Sequence, residues 1–502
     1  MAGKRCIILP LRSKRGRWAA LGALLLAICA LIWLFRPRQT TPPPPSEALT
    51  AAAKELTDYD VTLKLIPERR QVSITERVAF INDTGDTLTS LLLRTWLNAF
   101  QSEEDSPAAT EELYDACYPQ GFSEGKLTLH DVAWNGTQTA WRYDDDAQTA
   151  LRVDIPPLAA GQTGELLLRC VVQIPLCAHR SGGLGDTYQL GNVIPQLSLY
   201  QDHAWRADPY TSVGDPFVSS CANYTFSVYL PEGYVPACSA PLTRGQDGAW
   251  RGSILAARDV ALCLSPDYCQ ASARAAGGAA VYAYAKTEAG ARRVAEDAKR
   301  AIDVFSGLFG PYPYPALTVC AVDFPFGGME YSGLVMIGQS NFLDSQQDTM
   351  ELTVAHETAH QWFYSLVGSD QVYAPWQDEA LCQYAMLRYV RARYGQGSFD
   401  TLKYYQVDSP MAENIPGSLT PGSPIDYFGD LTAYSSVVYG RGAALLLALD
   451  EMLPGGADAF LRAYAEAFAY RFATRQDFEA FLNNYAGMDC SPLLLDYLDT
   501  AH

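Results

Sequence analysis

The 502 residues hold 37 Lys/Arg against 56 Asp/Glu, a formal charge of −19, and 48% of them are apolar. That length supports two or three domains, and the apolar share supplies large cores. Eight of the basic residues and none of the acidic ones fall in the first 38 positions. The body is therefore more acidic than the total implies, which argues against a nucleic-acid partner and fits solubility or attraction of ligands bearing a free amine.

Residues 1–17 form a basic tail with Lys4, Arg5, Arg12, Lys14, Arg15 and Arg17. Trp18 to Phe35 is an unbroken apolar run, near the lower limit for crossing a bilayer. The flanking charge keeps the N-terminus cytoplasmic. The run ends in the bulky "IWLFRPR", unlike the small-residue cleavage site of a signal peptide. The expectation is a single-pass membrane anchor over 18–35 with an extracytoplasmic body. Residues 36–50, with "RQTTPPPPSEA", then make a stiff spacer that lifts the body off the membrane.

Residues 51–272 read as strands. "YDVTLKL" and "QVSITERVAFI" alternate, placing Val61, Leu63 and Leu65, then Val72, Ile74, Val78 and Phe80, on one face. The expectation is an all-β domain of two packed sheets. Three N-x-S/T sequons, at Asn82, Asn135 and Asn223, matter only in a host that glycosylates them. The ten cysteines beyond the anchor include no C-x-x-C pair, so a cysteine metal site is not expected.

Near residue 273 the character changes to mixed α+β, continuing to residue 502. "AAVYAYA" reads as a strand, and Val294, Ala298, Ala301, Ile302, Phe305, Leu308 and Phe309 trace a helical stripe. Then comes "MELTVAHETAHQWFYSLVG", holding two of the chain's six histidines four residues apart. On a helix, i and i+4 share a face, so His356 and His360 aim two imidazoles at one point. Glu357 lies at the edge of that face, within reach of a water bound there, which is the H-E-x-x-H pattern of zinc peptidases. Gly368 is the expected helix stop. A catalytic zinc usually takes three protein ligands. Eighteen residues lie between His360 and Glu379, in the first turn of a helix expected over Trp376–Tyr394. Packed antiparallel, that helix brings Glu379 beside the histidines. Cys382 reads as helix packing rather than a ligand.

His356, Glu357, His360 and Glu379 at this spacing resemble the gluzincin aminopeptidases, the family of aminopeptidase N and the leukotriene hydrolases. "FGPYPYPALTV" (309–319), "GGMEYSGLV" (327–335) and "AYSSVVYGRGAALLLALDEML" (433–453) carry further resemblance. The resemblance is specific over 280–485 and weaker in "GDPFVSSCANYTFSVYLPEGY" (214–234). It implies a β domain followed by a thermolysin-like catalytic domain, here without the family's large C-terminal helical domain. It implies one zinc ion per chain on His356, His360 and Glu379, with Glu357 as general base. Tyr439 becomes the oxyanion donor, with Tyr434 lining the same pocket. Gly327, Gly328, Met329 and Glu330 become substrate-binding residues, with Glu330 pairing the free α-amine of a peptide. The glycines then admit the substrate backbone, and the strand at 333–337 receives it by β-addition. Tyr331 stands where the family has asparagine, and Gln196 is the nearby candidate for the family's second amine-binding group. The rival functions are an endopeptidase or non-peptide zinc hydrolase on the same fold, and a catalytically silent binding module.

Overall fold

The computed structural model describes residues 40–501 except 105, 109–110 and 414–417. The basic tail and the expected anchor lie outside the described residues. Among those described, no helix is long and apolar enough to cross a membrane. From Pro42 onward the described residues form one compact unit. Pro42, Pro43 and Pro45 lie along a groove with Pro241, Ile254 and Tyr314, and Leu49 is buried. This part of the spacer therefore rests on the body instead of standing free.

The first half is built on an eight-stranded sheet. Its central strand Asp58–Ile66 pairs antiparallel with Gln71–Ile81 and parallel with Ala222–Tyr229. The alternation read from the sequence holds: Val61, Leu63, Leu65, Val72, Ile74, Val78 and Phe80 are all buried. They share one apolar cluster with Leu91, Leu93, Leu151 and Val153 of a four-stranded sheet. A second four-stranded sheet, centred on Tyr188–Gly191 and Ala261–Ser265, makes three principal sheets instead of the expected two. Asn82 and Asn223 are buried with their amides donating to backbone carbonyls, so of the three sequons only Asn135 is exposed.

The second half opens on a five-stranded sheet ordered Cys269–Arg274, Ala280–Ala285, Ala316–Val322, Leu334–Gly338, Gly328–Tyr331. Its first strand begins ahead of residue 273, where the sequence changes character. Leu334–Gly338 is flanked on both sides, so the segment at 333–337 cannot accept an added strand. The edge belongs to Gly328–Tyr331. Helix Glu288–Phe309, capped by the Thr287 hydroxyl, packs its apolar stripe on this sheet and on the histidine-bearing helix Gln347–Ala359. That helix does not run to Gly368. The chain kinks within Gln361–Leu366, where Phe363 and Tyr364 leave helical backbone angles, and enters the two-residue strand Val367–Gly368. Gly368 serves another purpose, because a Cβ there would sit 2.2 Å from the Arg258 guanidinium carbon. Arg258, from the first half, is buried and donates to the carbonyls of Tyr364, Ser219 and Arg471. It thereby ties the chain just past His360 to the β half. The helix Trp376–Tyr394 has the expected bounds. Its antiparallel packing follows from the Tyr389 hydroxyl, which donates to Glu351 at 2.6 Å, five residues before His356. Helices Gly442–Met452, Gly456–Ala467 and Arg475–Ala486 pack with it around one apolar core.

Candidate metal centre

His356 lies in the last turn of its helix, and His360 is the capping residue with helical backbone angles, so the i,i+4 relation survives the helix end. The Nε2 atoms of His356 and His360 are 3.2 Å apart. Glu379 Oε2 lies 3.2 Å from the first and 3.5 Å from the second. All three side chains are buried. Three donor atoms on a tetrahedral zinc, with bonds of about 2.0–2.1 Å, stand about 3.3–3.4 Å apart, so this triangle fits the ion. The hydrogen bonding fits as well. His360 Nδ1 donates to Asp378 Oδ1 at 2.7 Å, which makes Nε2 the atom that would take the metal. Burial resists ionisation of Glu379, but the two imidazoles outweigh it and hold its carboxyl below the ordinary range.

Asp378 is a functional residue the sequence reading missed. It supports His360 and accepts a further hydrogen bond from Gln371. Cys382, also near His360, donates its thiol to the Phe363 carbonyl at 3.6 Å, which agrees with a packing role.

Glu357 is buried beside the triangle, and its carboxyl is pushed up to about 8, chiefly by burial. Its seat is made by Gly328: a Cβ at that position would lie 2.6 Å from both Glu357 Cγ and Oε1. The two glycines differ in their surroundings. Gly328 makes room for the glutamate, whereas a Cβ on the exposed Gly327 would meet only Thr353, at 3.5 Å or more. Tyr439 stacks on His356 with ring centroids 5.6 Å apart, and Tyr434 packs edge-on against Tyr439. Gly442 lets the Tyr439 segment approach the Glu379 helix, since a Cβ there would be 2.7 Å from Ala380 Cβ.

The three donors, Glu357, Tyr434 and Tyr439 line one cleft of about 110 Å³ together with Met329, Glu330 and Asp215. Glu330 is buried, its Oε1 has no hydrogen-bond partner, and its carboxyl is raised well above the usual range by burial first. It comes from the edge strand, whose following turn is clamped from several sides. Gln361 Nε2 donates to the Tyr331 carbonyl and its Oε1 accepts from Gly333 N, both at 2.9 Å. Asp259 accepts from Ser332 N at 2.9 Å and from the Tyr364 hydroxyl at 2.6 Å. Tyr331 itself is fully buried and donates its hydroxyl to Asn192 Oδ1 at 2.9 Å. Gly191 leaves the space, because a Cβ there would sit 2.1 Å from that hydroxyl. Tyr331 thus reaches the β half, further than an asparagine side chain extends. Gln196 is not in the cleft. Its amide donates to the Tyr224 hydroxyl in a separate groove. The first half instead contributes Asp215, ion-paired with Arg180.

Residues 294–497 match the Peptidase family M1 domain. Aminopeptidase M1-B of Oryza sativa subsp. japonica is 29% identical over 216 residues, 39% of this chain and 24% of that protein. Aminopeptidase N of Lactobacillus delbrueckii subsp. lactis is 22% identical over 407 residues, 74% of this chain and 46% of that protein. Leukotriene A-4 hydrolase of Xenopus laevis is 29% identical over 219 residues, 41% and 33% of the two chains. The chain spans less than half the length of each of these relatives. Among solved structures, an M1 zinc metallopeptidase from Deinococcus radiodurans superposes with a TM-score of 0.62 at 17% identity, covering 89% of this chain and 94% of that one. The domain match covers the two histidines, Glu357, Glu379 and Tyr439, so residues 294–497 carry the Peptidase family M1 domain.

Proposed function

We propose that the protein is a zinc aminopeptidase that removes residues singly from peptides with a free N-terminus. The observation that carries this reading is the buried, unpartnered Glu330 Oε1 in the same cleft as the three-donor triangle. A buried carboxylate oxygen without a partner is costly, and a peptide ammonium supplies the partner. The α-amine has an ordinary pKa of about 7.7–8.0 and keeps its proton beside such an acid. Asp215 is the second carboxylate in reach of that amine.

Zinc on His356, His360 and Glu379 would acidify a water and polarise the scissile carbonyl. Glu357 accepts the proton of the attacking water and returns it to the departing amine nitrogen. Tyr439 donates a hydrogen bond to the carbonyl oxygen as negative charge builds there, a contribution worth about 10²–10³ in rate. Asp378 holds the His360 ring in the tautomer the site requires. Glu330 fixes the first residue and leaves no room for a chain ahead of it. The apolar run over 18–35 supports membrane attachment with the catalytic part outside, which fractionation of the chain with and without residues 1–38 checks. The chemistry is tested with Glu357→Gln: one zinc per chain retained and hydrolysis lowered by several orders of magnitude. Near-normal turnover in that variant would sink the mechanism.

A further inference from the structure

The zinc chemistry uses none of the cysteines, yet the fold sets two of them side by side. Cys117 closes the short helix Glu111–Cys117, and Cys177 lies shortly past the strand Thr163–Gln173 of the eight-stranded sheet. The Ala178 N–H donates to the Cys117 carbonyl at 2.7 Å, so the two backbones touch at this point. A disulfide bridges Cα atoms about 4.4–6.8 Å apart, which is the separation of chains in such contact. Both side chains are fully buried, and the Cys177 thiol donates a hydrogen bond to the Cys117 sulfur. The Cys177 end is held in place, because its carbonyl accepts from His179 N at 3.0 Å and from Gly183 N at 2.6 Å. Among the described residues, no group able to hold a metal includes either thiol. Cys263 and Cys320 also meet, with sulfurs 3.3 Å apart, but their strands belong to separate sheets and Cys320 also donates to the Val335 carbonyl at 3.6 Å.

We propose that Cys117 and Cys177 are joined as a disulfide by an oxidant of the disulfide class, and that the bond pins the helix Glu111–Cys117 to the segment leading into His179 and Arg180. The hydrogen bond from Cys177 favours the charged form of Cys117 and lowers its pKa, which makes Cys117 the attacking sulfur. With oxidised glutathione, the Cys117 thiolate displaces one glutathione thiolate and forms a mixed disulfide. Cys177 gives up its proton and attacks the Cys117 sulfur, which releases the second glutathione thiolate. The two cysteine protons end on the two glutathione thiols, and two electrons pass from the cysteine sulfurs to glutathione. Burial raises the Cys177 thiol, so the exchange takes place while the short helix is undocked, and docking then shields the bond from reductant.

This inference does not depend on the zinc chemistry, so its test reads covalent structure instead of activity. The full-length protein in detergent is held in urea below its unfolding range, with either oxidised or reduced glutathione. It is then alkylated, digested without reductant and mapped by mass spectrometry. The expected result is a linked Cys117–Cys177 peptide, two hydrogens lighter than its separate parts, in most molecules of the oxidised sample. The reduced sample should give the two cysteines as separate alkylated peptides. Chymotryptic cleavage after Tyr114, in the pinned helix, should be about tenfold slower in the oxidised form. Cys117→Ser and Cys177→Ser cannot form the bridge and should be cut at one rate under both conditions. If either serine variant misfolds, the oxidised and reduced parent still decide, because that comparison needs no substitution. Separate alkylation of both cysteines after oxidation, or linkage of either to another cysteine, would overturn the disulfide. A linked form cut as fast as the reduced one would overturn the pinning of the helix.

Discussion

Gly328→Ala isolates the placement of the general base. The added Cβ would sit 2.6 Å from Glu357 Cγ and Oε1, and ordinary contact begins near 3.4 Å, so the carboxylate must move by roughly 0.8 Å. Gly328 is in an edge strand without a left-handed backbone angle, so alanine suits its conformation. In folding, the gain of replacing a strand glycine, about 0.5–1 kcal/mol, offsets an off-rotamer glutamate costing about 0.5–1.5 kcal/mol. Net stability should change by less than about 1 kcal/mol. Catalysis is less forgiving, since a misplacement of about 1 Å costs on the order of 10²-fold. The expected outcome is a loss of about 10²-fold in kcat for a free-amine peptide, with one zinc per chain and an unchanged melting temperature. Combined with Glu357→Gln, the glycine change should add nothing, because both act through one group. Gly327→Ala is the control, expected within threefold of the parent by the same steric account. Full activity in Gly328→Ala, or equal losses at both glycines, would refute the reasoning.

Asp378→Ala removes the acceptor for His360 Nδ1 and should weaken zinc affinity by about 10–100-fold, read by competition with a fluorescent chelator. Tyr331→Phe deletes the hydrogen bond to Asn192, which should cost about 1 kcal/mol in unfolding free energy. It should also lower the preference for free over acetylated peptides, because Glu330 precedes Tyr331 in the strand. Asp259 is buried at the junction of the halves, and burial raises its carboxyl from 3.8 to about 6. A raised acid stabilises the fold while protonated, fully below pH 3.8, and this contribution is lost as pH rises through about 6. Asp259→Asn should therefore leave the unfolding free energy unchanged at pH 4 and raise it at pH 7.5, by up to about 3 kcal/mol. An equal shift at both pH values would contradict this.

The metal set was readable because its information is local. His356, Glu357 and His360 lie within one helical turn, and the bounds of Trp376–Tyr394 are marked by Pro375 and Gly395. The inward set of the first strands was readable for the same reason, as alternation is a property of a single strand. What failed was long-range. Whether Leu334–Gly338 or Gly328–Tyr331 is the edge depends on strand order, which no local pattern encodes. Gly368 looked like a helix stop, but its bare backbone faces Arg258, over a hundred residues earlier. Gln196 and Asp215 lie near each other in sequence, yet only Asp215 reaches the cleft. Asp378 adjoins Glu379, but its role is fixed by where the His360 ring points.

The central claim is that Glu330 makes this zinc site an exopeptidase site. The most direct test compares hydrolysis of one peptide with a free and with an acetylated N-terminus, each with and without a zinc chelator. Chelator-sensitive removal of single residues from the free-amine form alone is the predicted result. Equal or faster cleavage of the acetylated form would contradict the account and leave a zinc hydrolase of different specificity on this fold.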